Sequence, residues 1–432
     1  MDWSFLIRNK DSLLVSTDTR NLPAGCVFFA LHGEHFDGNK FAKQALEQGA
    51  SLAVIDDPEV YLQAQRSSSP QGDLQGAADL PRLLLVEDTL RALQDLARAW
   101  RRELGLPIIA ITGTNGKTTT KELLAAVLAT KYNIHYTQGN LNNQIGVPLT
   151  LLQITRAHQL AIVEMGASHP GDIKELAEIA EPNFGLITNV GRAHLEGFGS
   201  FEGVQRTKQE LYDYLVAHNG TIFRNADNPY LMRMHEKALT SSPHRLIAYS
   251  AMGASDSRLV AYATGTMPSG THLVGEYNAE NVSAAICVGA CFDVSREEAL
   301  EAIRQYVPTN NRSQAMQTAN NQLIVDAYNA NPTSMQAAIN AFTGDTYILG
   351  AMRELGEYAH LEHQNIVNML AERKADTVFL VGEEYRQTTS PYPIFDRVED
   401  LHKYLEEHPL RGRKILLKGS RSTKMESLLD IL

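Results

Sequence analysis

Apolar positions along this chain fall into short blocks that recur with a steady rhythm. Runs of four or five apolar residues end in glycine or polar residues, and are followed by stretches whose apolar positions lie three and four apart. The clearest runs are 108–112, 160–163, 184–188, 323–326, 346–349, 377–381 and 414–418, each predicting a buried strand. The helical spacing between them predicts helices over 121–130, 203–215, 278–291, 333–342, 361–373 and 397–407. Strand alternating with helix is the pattern of an α/β fold with open, largely parallel sheets. Upstream, strands over 26–31 and 51–55 flank a helix over 39–48, and a helical pattern over 89–100 leads into the strand at 108. Residues 246–249, 259–262 and 271–274 read as hairpin-forming strands, an antiparallel annex to the middle sheet. The polar, turn-rich segment 67–76 reads as an exposed loop.

With 432 residues the chain exceeds one ordinary core, and the rhythm divides it at 1–84, 85–311 and 312–432. The 50 acidic against 39 basic residues give a net charge of -11 with no Lys/Arg stripe, which argues against nucleic acid and for a small ligand. No basic segment precedes a long apolar one at the start, and no run approaches the roughly 18 apolar residues of a membrane span. A cytoplasmic protein without membrane insertion is expected. Cys287 and Cys291 sit four apart in an apolar helix and read, with Cys26, as core thiols.

The sharpest chemical signal follows the strand at 108. Gly113-Thr-Asn-Gly-Lys-Thr118 breaks the apolar run and opens a helix. Gly113 and Gly116 let the backbone curl so that its N–H groups and the helix terminus face a polyphosphate, Lys117 reaches the terminal phosphates, and Thr118 can ligate Mg2+. Ile111 stands where the longer form of this motif has its first glycine, so the loop is a short variant. Glu164 closes the strand at 160 and brings a carboxylate to the same sheet edge, a Mg2+ ligand or a group that positions water. The next strand brings Asn189, His194 and Glu196 there, and this company sets His194 apart from an ordinary structural histidine. Lys208 lies on the helix over 203–215, and its spacing alone describes a solvated surface group. In the last third, Asp326 closes a strand, Asn329 and Asn331 follow, and Pro332 opens a helix, a good arrangement for polar recognition beyond the strand ends, where Gly350 and Lys418 also fall.

Taken together these stretches resemble the Mur ligase family. The resemblance rests on Thr17-Asp-Thr-Arg20, Leu31-His-Gly33 with Asp37 and Gly38, the phosphate loop, 139–148, Glu164-Met-Gly-Ala167, 188–196, 326–335, Leu355-Gly-Glu357 and Leu417-Lys-Gly-Ser-Arg421, in order along nearly the whole chain. It implies three domains: a small N-terminal α/β domain that holds a UDP-sugar, a central P-loop ATPase and a C-terminal Rossmann-like domain that closes for catalysis. Thr19 and Arg20 would then contact the UDP-sugar. Gly113, Thr114, Asn115, Gly116, Lys117, Thr118 and Thr119 would line ATP with Asn281, with Arg312 on the phosphates and Asp326 on the nucleoside. Thr118, Glu164 and His194 would hold Mg2+ beside Lys208, which the resemblance implies is carbamylated. Asn140, Asn142, Asn143, Asn329 and Asn331 would serve the substrate and acceptor sites. Two positions depart from the family pattern: Tyr277 replaces a histidine and Ala351 an aspartate.

The motif Tyr328-Asn-Ala-Asn-Pro332 favours the family branch that joins D-alanyl-D-alanine to UDP-N-acetylmuramoyl-tripeptide, with ATP and Mg2+, as a monomer. A carboxylate is a poor electrophile, and its conversion to an acyl phosphate solves that before the dipeptide amine attacks. Two alternatives stay open: another amide ligase of the family, such as the enzyme adding the third stem residue or a folylpolyglutamate synthase, and a noncatalytic nucleotide-binding protein.

Overall fold

The computed structural model describes residues 2–67, 82–238, 245–251, 267–308 and 312–432. The loop expected over 67–76 and the strand over 259–262 lie outside these residues, apart from Ser67, which ends a helix. The chain forms two compact units, residues 1–110, 132–165 and 175–183 in the first, and 111–131, 166–174 and 184–432 in the second.

In the first unit a four-stranded sheet runs in the order Val15–Ser16, Val27–Phe29, Leu52–Ile55, Leu83–Leu85, every pair parallel. Its core is made of Cys26, Phe28, Ala30, Ala42, Leu46 and Ile55. The helix Thr89–Leu104 shows how local sequence sets an element. The Asp88 side chain accepts from Arg91 N at its start, and Gly105 takes φ 64 at its end. Leu93, Leu96, Ala97 and Trp100 form the stripe that is buried.

The middle sheet has six strands in the order Arg245–Tyr249, Thr221–Asn225, Phe184–Ile187, Ile108–Thr112, Leu160–Glu164, Ile134–Tyr136. Every residue of Ile108–Thr112 and Leu160–Glu164 is buried, as expected of central strands covered on both faces. The antiparallel annex is corrected here. Among the described residues, Arg245–Tyr249 pairs parallel with Thr221–Asn225 at the end of the sheet, and residues 271–274 contribute a single antiparallel bridge, Leu273 to Gln314. In the second unit the helices Lys117–Leu128 and Asn278–Cys291 approach closely at Gly289, where a Cβ would come within 2.6 Å of Val127.

The last sheet also lies in the second unit, in the order Gln314–Gln317, Gln322–Asp326, Lys414–Lys418, Thr346–Gly350, Thr377–Val381, Ile394–Phe395. Its first pair is antiparallel and the rest are parallel. Both faces are apolar: Met335, Ile339, Leu349 and Ile366 pack in one core, and Val325, Ile348, Leu401 and Ile415 in another. Asp326 and Lys418 are register partners at the C-terminal ends of neighbouring strands, where the chain pattern placed them with Gly350.

Candidate functional site

The phosphate loop is built by glycines with no tolerance for a side chain. Gly113 has φ 142, and a Cβ there would run into Thr188 Oγ1. Gly116 has φ 79 and caps the helix Lys117–Leu128; a Cβ would lie 2.6 Å from Asn281 Oδ1. The loop is laced to the end of the next strand. Thr114 N donates to Asn189 O at 3.0 Å, Asn115 N to Asn189 Oδ1 at 3.0 Å, and Thr188 Oγ1 to Asn115 O at 2.6 Å. Lys117 Nζ donates to Gly113 O at 2.7 Å and Thr114 O at 3.1 Å, so its ammonium lies over the loop. Thr118 is buried at the first turn, and Thr119 is half-buried beside it. Asn281 accepts from Thr120 Oγ1 at 3.0 Å and donates to Asn278, which ties the helix Asn278–Cys291 to the one that begins at the loop.

Around this loop the second unit gathers three cationic or basic groups. Lys208 is 2% exposed on the helix Phe201–Ala217. Burial drives its ammonium well below the ordinary lysine range; Lys117 adds to that effect, while Asp172 and Glu210 oppose it. The surface placement read from spacing alone is therefore corrected. The signal was present: Val204, Lys208, Leu211 and Leu215 share one helical stripe, so Lys208 stands where the core face requires an apolar residue. His194 caps the short helix Leu195–Phe198 with φ 51. Burial lowers its imidazole pKa as well; Glu354 opposes this, and Lys117 and Lys208 reinforce it. Sequence reasoning did not assign Glu354, whose carboxylate meets His194 Nδ1, nor Asp172 and Glu210 near Lys208.

The C-terminal sheet contributes the other residues of this unit. Asn331 caps the helix Pro332–Ala341, accepting from Ser334 N at 2.9 Å, and its amide donates to Asn115 Oδ1 of the phosphate loop at 2.7 Å. Asn331 is thus buried and committed, whereas Asn329 is exposed, with its Oδ1 accepting from Ala330 N. Asp326 accepts from Lys418 Nζ at 2.5 Å and from Ser313 N at 3.3 Å. The Arg312 guanidinium stacks 3.7 Å from the Tyr328 ring centre. A link the sequence did not reveal joins Arg192 to the buried Glu362 at 2.7 Å, and Arg192 N donates to Thr333 Oγ1 at 3.0 Å.

In the first unit, Glu164 is 1% exposed and its Oε1 accepts from Asn142 Nδ2 at 2.8 Å. Asn143 accepts from Gly146 N at 2.8 Å and starts the helix Gly146–Leu152, while Asn140 is exposed. Arg20 is exposed and clasps Asp18 at 2.6 Å, with Thr19 half-buried between them. That arginine holds the Asp18 carboxyl down at about 2. The Asp56 carboxylate gathers Asn39, Thr89 and His32 at 2.7–3.0 Å, fixing the turn at Gly38.

Among the described residues no three His, Cys, Asp or Glu side chains converge into a metal cage. Within the second unit, the Thr118 hydroxyl at the phosphate loop and the His194 imidazole offer a sparser pair of donors. That pair fits Mg2+ arriving on a polyphosphate, because that ion keeps waters and takes few protein ligands beside phosphate oxygens. No helix among the described residues is long and apolar enough to cross a membrane.

Comparison with known proteins agrees along the length of the chain. Residues 14–101 match the family description "Mur ligase family, catalytic domain", 111–289 the Mur ligase middle domain, and 311–420 "Mur ligase, glutamate ligase domain". UDP-N-acetylmuramoyl-tripeptide–D-alanyl-D-alanine ligase of Bacillus subtilis is 34% identical, covering 97% of this chain and 92% of its own. The enzyme of that name from Escherichia coli is 32% identical, with 97% and 93% covered. Among solved structures, MurF from Acinetobacter baumannii has a TM-score of 0.79 at 29% identity, covering 96% of this chain and 92% of its own. MurF from Thermotoga maritima in complex with ADP has a TM-score of 0.79 at 25% identity, covering 97% of each chain. With its glycine-built phosphate loop, three α/β domains and end-to-end likeness to these proteins, the chain belongs to the Mur ligase family.

Proposed function

We infer that this protein joins D-alanyl-D-alanine to UDP-N-acetylmuramoyl-tripeptide at the expense of ATP, giving UDP-N-acetylmuramoyl-pentapeptide, ADP and phosphate for peptidoglycan synthesis. The observation that carries this reading is Lys208, buried and within electrostatic reach of both the phosphate-loop Lys117 and His194. Phosphate binding alone gives no reason to bury a second lysine. Burial and the nearby Lys117 both favour the uncharged form of Lys208, and a neutral amine is the form that captures carbon dioxide as a carbamate. Carbamylation turns the group into an anion, which suits a site beside a cation. The relatives' names support the substrates, and the ADP complex of the Thermotoga maritima protein supports the nucleotide.

In this reading the loop N–H groups and Lys117 orient the ATP phosphates, and Arg312 approaches them from the C-terminal domain. Thr118, Glu164 and His194 would hold Mg2+ beside the Lys208 carbamate. Bound there, the ion supplies charge stabilisation to phosphoryl transfer. The tripeptide carboxylate takes the γ-phosphoryl group as ADP leaves. The dipeptide amine then attacks the acyl carbon, its C–N bond forms, and phosphate departs as the amine loses a proton. Closure of the C-terminal domain keeps water from the acyl phosphate. The acceptor amides would come from Asn329 and Asn331, the substrate contacts from Asn140, Asn142 and Asn143, and the UDP contacts from Thr19 and Arg20.

The test is phosphate release and product mass with ATP, Mg2+ and UDP-N-acetylmuramoyl-tripeptide in its diaminopimelate and lysine forms, with and without the dipeptide. Pentapeptide and phosphate that both require D-alanyl-D-alanine are expected. Folded protein that binds ATP yet ligates neither tripeptide would direct the assignment to another acceptor within the family.

A further inference from the structure

Two side-chain-bearing residues with left-handed backbone face each other in the second unit. His194 has φ 51 and Glu354 has φ 59, a region that residues with a Cβ rarely occupy without reason. They come from different domains: His194 follows the middle-sheet strand Phe184–Ile187, and Glu354 follows the C-terminal strand Thr346–Gly350. Their backbones are joined where Glu196 N donates to Glu354 O at 3.4 Å, and Gly356 lies beside Glu196, where an added Cβ would sit in ordinary contact at 3.4 Å. Between them His194 Nδ1 meets Glu354 Oε2. On another side the imidazole stands edge-on to Phe198 at 6.2 Å, and the same ring lies 5.7 Å from Lys208 Nζ.

The Glu354 side chain is 58% exposed, so this pair adds little to stability. Its chemical effect is larger. A carboxylate on Nδ1 keeps the ring proton there and leaves the Nε2 lone pair free to ligate. We propose that Glu354 is a positioning residue that the C-terminal domain lends to His194, fixing the imidazole for the nucleotide's Mg2+, so that metal binding and docking of that domain are linked. The proposal rests on the nucleotide and Mg2+ reading given above. By linkage, whatever factor the docked Glu354 adds to metal affinity, the metal returns to docking.

The experiment uses the full chain, the Glu354→Ala and Glu354→Gln variants, and Mn2+ with ADP as the probe. Nitrogen NMR of the metal-free protein should show the His194 proton on Nδ1 in the native chain and lost from there in Glu354→Ala. Glu354→Gln, which still offers an acceptor oxygen, should keep it. Mn2+ affinity by electron paramagnetic resonance should fall about 10- to 100-fold in Glu354→Ala and recover most of that loss in Glu354→Gln. Compaction on adding Mn2+ and ADP, followed by X-ray scattering, should occur in the native chain and fade in Glu354→Ala. A native tautomer and native Mn2+ affinity in a folded Glu354→Ala variant would overturn the proposal while leaving the ligase reading intact. Failure of the native chain itself to bind Mn2+ with ADP would overturn both.

Discussion

Lys208 shows how one residue can carry two opposite readings. Counted along the chain it is a helical lysine among polar neighbours; seen on the helix surface it occupies a core position, and the structure buries it. If its carbamate is what the site requires, Lys208→Ala should lose at least about 100-fold in ligation rate, comparable to removing a strong charge-stabilising group. Short carboxylic acids should restore part of that rate, and a variant indifferent to them would argue that the amine serves otherwise. His135 offers a test by pH. Burial and the His158 imidazole beside it pull its pKa down to about 4 from 6.5. Between those values the unfolded chain binds a proton that the folded chain does not, so stability falls as pH drops through that window and is restored above it. His135→Phe removes the titration, and its Tm should fall less steeply than the native Tm from pH 6.5 to 4. At this scale the sequence revealed the glycine-built loop and the helix it opens, because the glycines there serve local geometry. Glu354 and Glu362 were invisible, because their partners lie more than a hundred residues away.

Most strands and helices were legible as elements because each buries a face whose period is written locally. Lys414–Lys418, Thr377–Val381 and Asn278–Cys291 have the bounds that periodicity predicts. Pairing was less legible. Arg245–Tyr249 alternates like half of a hairpin, yet its partner is Thr221–Asn225, reached across the helix Pro229–Ala238, and only the assembled sheet determines which edge is open. The helix Pro332–Ala341 combines both lessons: Asn331 caps it, a local signal, and grips Asn115, a distant one. Two substitutions separate these roles. Asn331→Ala should cost about 1–2 kcal/mol through the lost cap. Asn331→Asp keeps the capping oxygen but loses the donor to Asn115, so it should hold Tm near native while weakening ATP binding. Equal losses of Tm in the two variants would show that the tie to Asn115, and not the cap, carries the stability.

Across the second unit the middle and C-terminal sheets are tied by Asn115 to Asn331, Arg192 to Glu362 and His194 to Glu354. Of these, the Arg192 pair guards a carboxylate that is 1% exposed, with Asn365 at 3.4 Å as a weaker second partner. Arg192→Ala should loosen docking by about 2 kcal/mol, less than the roughly 3–5 of a fully buried pair because Arg192 is half exposed. A larger radius of gyration by X-ray scattering would register it; an unchanged radius would mean that the other ties suffice. The order of the C-terminal sheet has a consequence of another kind. Lys414–Lys418 is the last strand of that sheet in chain order, yet it lies between Gln322–Asp326 and Thr346–Gly350, at the centre. A chain growing on the ribosome can finish its earlier sheets while this one still lacks its middle, with Gln322–Asp326 and Thr346–Gly350 each missing a neighbour. The C-terminal sheet therefore cannot close until residues 414–418 have been made, although its other strands are complete by residue 395. Nascent chains halted at Arg413 should stay open to protease across 314–413, whereas release of the strand should protect them in one step.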